Sequence, residues 1–160
     1  MATAATYSWI TSTARTVCVE GFGGIPRGTF LTGATPLAWP AKDPTETLDY
    51  VLDVAEALAG NEGDAIATLD VQIIPDNPGD LALQSSSADG SQAILWLTAG
   101  FPGTSYAVTI TIGTNGGRVL ARTVILPVVT LAVQPIIPNA ITDQTGAPIT
   151  TQTDSPITTS

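Results

Sequence analysis

Apolar and polar residues alternate strictly over Tyr106-Ala107-Val108-Thr109-Ile110-Thr111-Ile112. This predicts a strand with Tyr106, Val108, Ile110 and Ile112 on one buried face. Val119–Val129 is a second apolar run, across a Thr114-Asn115-Gly116-Gly117 loop of residues that accept φ > 0. The two runs read as a hairpin. Gln92–Thr98, which contains Trp96, is a further strand. Ala65–Ile74 is another, closed by the turn signal Pro75-Asp76-Asn77-Pro78-Gly79-Asp80.

Thr47–Val54 reads as a strand with Leu48, Tyr50, Leu52 and Val54 inward and Asp49, Val51 and Asp53 outward. The helix formers Glu56, Ala57, Leu58 and Ala59 leave a helical continuation open before the turn Gly60-Asn61-Glu62-Gly63. Leu81-Ala82-Leu83 reads as a short strand that ends at Ser85-Ser86-Ser87. About six short strands with turns between them suit a β-sandwich. The tight turn Gly100-Phe101-Pro102-Gly103 leads directly to Tyr106. A Tyr there can lay its ring in the core and return its hydroxyl to backbone upstream, the tyrosine corner of immunoglobulin-like sandwiches. The expected fold is all-β, an immunoglobulin- or fibronectin-III-like sandwich with extended N- and C-terminal arms.

The chain divides into three regions. Residues 1–38 form an N-terminal arm or annex, with Thr16-Val17-Cys18-Val19-Glu20 as a possible short strand and Gly21–Gly28 as loop. Residues 39–133 form the sandwich. Residues 134–160 are a Thr/Pro-rich arm without Lys, Arg or aromatic residues, in which Pro135, Pro138, Pro148 and Pro156 each remove a backbone donor. Such a segment alone is expected to stay disordered or PPII-like.

Composition narrows the function. The net charge is −9, with no His and five basic residues, Arg15, Arg27, Lys42, Arg118 and Arg122. Direct nucleic-acid binding is not expected, because phosphates need basic groups to displace their counterions. An anionic membrane surface is disfavoured for the same reason. The first residues lack the basic and hydrophobic regions of a signal peptide, so synthesis in the cytoplasm is expected. The lone Cys18 reads as a small buried hydrophobe between Val17 and Val19 rather than a reactive thiol.

No catalytic constellation stands out. Without His there is no Ser-His-Asp or Cys-His pair. Gly21-x-Gly23-Gly24 lacks the strand, helix and Lys of a phosphate loop. Eleven of the fourteen acids lie between Asp43 and Asp89, and the pairs Asp49/Asp53, Glu62/Asp64 and Asp76/Asp80 are the candidates for Ca²⁺ or glycosidase chemistry. They form no ordered ligand series and read as a solvated acidic face with turn-forming Asp. Trp9, Trp39 and Trp96 could build a sugar-stacking platform. Packing of Trp96 on a sheet and sealing of the domain edge by Trp39 are the preferred readings. Catalytic, cofactor and metal residues are therefore expected to be none.

Lys42-Asp43-Pro44-Thr45-Glu46-Thr47-Leu48-Asp49-Tyr50 resembles the opening "KDPDxxLDY" of small bacteriophage virion proteins, the fibre–tail adaptors or Ig-like tail components. The resemblance continues at Leu58-Ala59-Gly60, Asp64–Thr68, Trp96–Gly100, Gly103–Thr109 and Gly116-Gly117-Arg118, over about residues 41–130. Where that family commonly has a Trp-Thr pair after the second strand's Ala-Thr, this chain has Leu69-Asp70. The resemblance implies a non-enzymatic subunit of a phage tail or neck that bridges the tail core to fibres. Its implied partners are other virion proteins, namely tail adaptor or nozzle, fibre and portal-proximal subunits, met by repeated copies in a symmetric assembly. Capsid decoration and a carbohydrate-binding or adhesion module are the alternatives.

Overall fold

The computed structural model describes residues 10–21, 36–132 and 149. A single 3-10 turn at Thr13–Arg15 leads into β1 (Thr16–Cys18). Next come β2 (Leu37–Ala38), β3 (Leu48–Asp53), the one-turn helix α1 (Ala55–Leu58) and β4 (Ile66–Ile74). The sandwich is completed by β5 (Ala82–Asp89), β6 (Gln92–Thr98), β7 (Thr104–Thr114) and β8 (Val119–Val128). Two four-stranded sheets result, in the orders β1-β3-β6-β5 and β2-β8-β7-β4. This is the A-B-E-D and C-F-G grouping of an immunoglobulin sandwich, with β2 added beside the last strand. The expected all-β sandwich is present. One departure is that β1 runs parallel to β3, in register Thr16 to Val51, in a sheet whose other pairs are antiparallel.

The period-2 alternation builds the core. Tyr50, Leu52 and Val54 face Tyr106, Val108, Ile110 and Ile112 together with Val124, Leu126 and Val128, all essentially inaccessible. Each such side chain stabilises the fold by about 1.5–3 kcal/mol relative to exposure. Trp39 ties the sheets together. Its backbone N–H donates to Ile125 O of β8 at 2.9 Å, and its Nε1–H donates to Val51 O of β3 at 3.1 Å. Its ring lies 5.2 Å from that of Tyr50 at 53°, a tilted aromatic pair.

Several expectations need correction. Cys18 is exposed, because β1 alternates: Val17 and Val19 turn inward and the thiol between them turns out. The strand after Leu83 does not stop at the serines. β5 runs on to Asp89, paired with β6 from Ala82↔Thr98 to Asp89↔Gln92, with a register shift between Leu83 and Ser85. An edge strand draws its ladder from one neighbour and needs no buried face, so Ser-rich sequence suffices there. Val51 points outward as expected but is fully buried, since β3 is an inner strand and Val51 stands between Thr16 and Ile94. Thr16–Cys18 and Leu37–Ala38, within the N-terminal segment, belong to the two sheets.

Candidate functional site

Of the acids so dense between Asp43 and Asp89, Glu56, Glu62, Asp70, Asp76 and Asp89 are exposed to solvent as expected. Asp43, Asp49 and Asp80 are buried. Each carboxylate is consumed by its own local hydrogen bonds, and none of the three candidate pairs converges. Asp49 pairs with the Arg15 guanidinium and accepts the Ser12 N–H at 2.9 Å. Asp53 instead holds the N–H of Ala55 at 2.8 Å and the side chains of Ser91 and Gln92. Asp64 ties the β7–β8 hairpin by accepting the Gly116 N–H at 2.8 Å, while Glu62 is exposed. Asp76 lies at the half-buried to exposed turn after β4, whereas Asp80 belongs to the tyrosine corner. Among the described residues no three His, Cys, Asp or Glu stand where they could share a metal ion.

The tryptophans are equally dispersed. Trp39 is buried, and Trp96 is half-buried on the outer face of its sheet, opposite Asp49 and Ser85. Trp9 and the glycines Gly23 and Gly24 lie outside the described residues. Gly21 is described, and it packs so closely that an added Cβ would stand 2.9 Å from Glu56 O.

What the structure does assemble is a clamp at one end of the sandwich. The tyrosine corner forms its floor. The Tyr106 hydroxyl accepts the Phe101 N–H at 2.9 Å and donates to Asp80 Oδ1 at 2.7 Å. The other oxygen of Asp80 accepts the backbone and side-chain N–H groups of Asn77. Gly100, at φ 105°, lets the turn press against this corner, and a Cβ there would meet Val128 Cγ2 at 2.9 Å.

Lys42 and Asp43 form the jaws. Lys42 is fully buried, and its Nζ donates to Ala99 O and Asp43 O, both at 2.8 Å. Burial pushes its ammonium below the ordinary lysine value, while Glu46 and Asp43 pull the other way. Its backbone runs beside β8 as a parallel bridge to Val128. Lys42 N–H donates to Pro127 O at 3.1 Å, and Val129 N–H donates to Lys42 O at 3.0 Å. Asp43 uses both oxygens. Oδ1 accepts the Thr45 N–H and hydroxyl, and Oδ2 accepts the N–H groups of Leu131 and Ala132 at 2.8 and 3.0 Å.

These bonds hold the Asp43 carboxyl well below the usual carboxylate range, led by the Ala132 N–H and the Thr45 hydroxyl. The Tyr106 hydroxyl, with Asn77, does the same for Asp80. A carboxyl whose folded pKa is depressed adds stability that is complete above its unfolded pKa and is lost as pH falls through the folded value. The melting temperature is therefore expected to be level between about pH 5 and 8 and to drop below about pH 4. Asp43→Asn should shrink that drop. A melting temperature unchanged between neutral and strongly acidic pH would contradict the assignment.

The clamp carries the opening residues of the motif singled out in sequence. The family model described as "Podophage GP4 fiber-tail adaptor protein gp77" matches residues 42–127. The chain belongs to this family. No curated protein matches it. The span of the podophage fibre–tail adaptor model begins and ends on bonded partners, since Lys42 N–H donates to Pro127 O. The matched span holds β3 to β7 and most of β8, and membership gives the chain a structural adaptor role in the virion tail. Lys42-Asp43 is legible in sequence as family signature but not as jaws. The available signal is Asp43-x-Thr45, an Asx-type turn, in a chain with so few charges that a paired Lys-Asp calls for a partner.

Proposed function

We infer that this adaptor works without turnover, as a rigid bead gripped through its two flanking segments. Residues 1–38, beyond the short strands they lend to the sheets, and residues 134–160 act as tethers that run onto neighbouring virion proteins. The binding partners are the fibre on one side and the tail on the other. The tail-side neighbours would be adaptor, nozzle or portal-proximal subunits in the neck region, met by repeated copies in a symmetric ring. The observation that carries this reading is the exit clamp. Asp43 is spent on the backbone of Leu131 and Ala132, which fixes the point and direction from which the C-terminal segment departs. A fixed departure point matters only if the segment beyond it must reach a defined place. Repetition around a ring would make each weak tether contact multivalent.

The test is where the chain sits and in how many copies. Gold labelling of a tagged full-length chain in purified virions should mark the tail, with copies in the range of a ring. Label spread over the head in hundreds of copies would replace this reading with capsid decoration. The alternative of a sugar-binding platform loses support from the burial of Trp39.

A further inference from the structure

The C-terminal segment carries a repeat. Ile141-Thr142-x-Gln144-Thr145-x-x-Pro148 is succeeded by Ile149-Thr150-x-Gln152-Thr153-x-x-Pro156, and then by Ile157-Thr158. The period of eight is even, so in an extended chain every isoleucine falls on the same side. Successive isoleucines would stand about 26 Å apart, close to the width of a four-stranded sheet with its side chains. A spacing of one domain per repeat suits a strap laid across successive copies of the same sandwich.

Among the described residues, the edge formed by β4 and β5 fits such a strap. β4 and β5 are edge strands of opposite sheets, each hydrogen-bonded on one side only. Between the end of β4 and the start of β5 lies a groove of about 370 Å³, lined by Val71, Ile73, Ile74, Leu81 and Leu83 with Gln72 and Asp76 at its polar margin. Ile74 is 56% exposed and Leu83 is 36% exposed there. Natural edges are usually guarded by Lys, Pro, bulges or charges. The free end of β8 carries Arg122, with Arg118 just before it, and β4 has a register shift at Ile66–Thr68 and then Asp70. Val71-Gln72-Ile73-Ile74 has none of these guards until Pro75 and Asp76 end the strand. An unguarded edge beside an apolar groove is the setting for strand addition, in which backbone bonds give affinity and alternate side chains fill pockets.

We propose that this groove receives one Ile-Thr unit of the repeat, within residues 141–158, of a second copy of the chain. Ile149 of the repeat is itself 42% exposed in the single chain. The repeat contains no Lys or Arg and only two acids, Asp143 and Asp154, which limits its repulsion from an acidic domain. The proposal rests on the tether reading above and names the surface on which the C-terminal tether lands.

The test mixes two full-length variants in a Cys18→Ser background, one carrying Ile149→Cys and the other Leu83→Cys. Both are first checked for unchanged melting, since all three positions are surface-exposed. Under mild oxidation, both in the purified mixture and in particles assembled from it, a disulfide-linked heterodimer should form. Its yield should be about tenfold above a control pair in which Val119→Cys replaces Leu83→Cys, reflecting the raised effective concentration of docked thiols. A synthetic peptide of residues 141–158 should suppress the link. A yield equal to the control in both settings overturns the proposal. So does a Leu83→Cys link to a fibre or tail protein instead. Any of these, with gold label still on the tail, removes the groove assignment and leaves the adaptor reading standing.

Discussion

Removing residues 134–160 is expected to leave a soluble, folded sandwich that no longer enters virions. The folding half of this prediction rests on where the core lies. Among the described residues the buried core runs from Val19 to Val128, and the clamp that closes the domain takes its last bonds from Leu131 and Ala132. A chain ending at residue 133 keeps all of them. Its circular dichroism and melting temperature should match the full chain to within about 2 °C, because these core and clamp contacts are untouched. The assembly half rests on the tether reading. Complementation of a phage lacking the chain, followed by immunoblotting of purified particles, should find the truncated form in the lysate and absent from the virions. Normal incorporation would transfer the adaptor contacts to the sandwich itself.

The largest loss of stability from a single substitution is expected at Tyr106. Tyr106→Ala empties a fully buried site between the sheets and should cost about 3–5 kcal/mol, the range for deleting a large core side chain. It also strands the Phe101 N–H and the Asp80 carboxylate that the hydroxyl now joins. Domains of this size are stable by about 5–15 kcal/mol, so the variant stands near the threshold of unfolding. Tyr106→Phe keeps the ring and loses only the hydroxyl, with an expected cost of about 1–3 kcal/mol from the two unpaired partners. Urea denaturation of the three proteins measures both steps. Equal midpoints for the Phe variant and the natural chain would mean that the corner is held by packing alone.

The strands legible in sequence are those whose two faces meet different surroundings. β7 alternates because one face enters the core and the other does not, and Gln92–Thr98 shows its bounds because turn residues flank an apolar run. The tyrosine corner is legible because a turn, a Tyr and an alternating strand occur together in a fixed order. The full length of β5 is not, because its serines carry no facial contrast: an edge strand is specified by its neighbour's backbone, which a one-dimensional reading cannot see. The facing of Cys18 is hidden for want of a register. A one-residue slip exchanges the two faces of a strand, and Thr16–Cys18 is too short to set its own phase. The acids look solvated in sequence because burial of a carboxylate depends on donors far away along the chain, such as Leu131 for Asp43, 88 residues apart. The family signature is readable from residue order, and its structural meaning is not.

The clamp also behaves as a strain relief where a cable leaves its housing. Tension on the chain beyond Ala132 meets the Asp43 carboxylate first and the backbone rung between Lys42 and Val129 next. Only after these give way does the pull reach β8, the rim of the hairpin. A load on the C-terminal segment would thus open this latch before it reached the core.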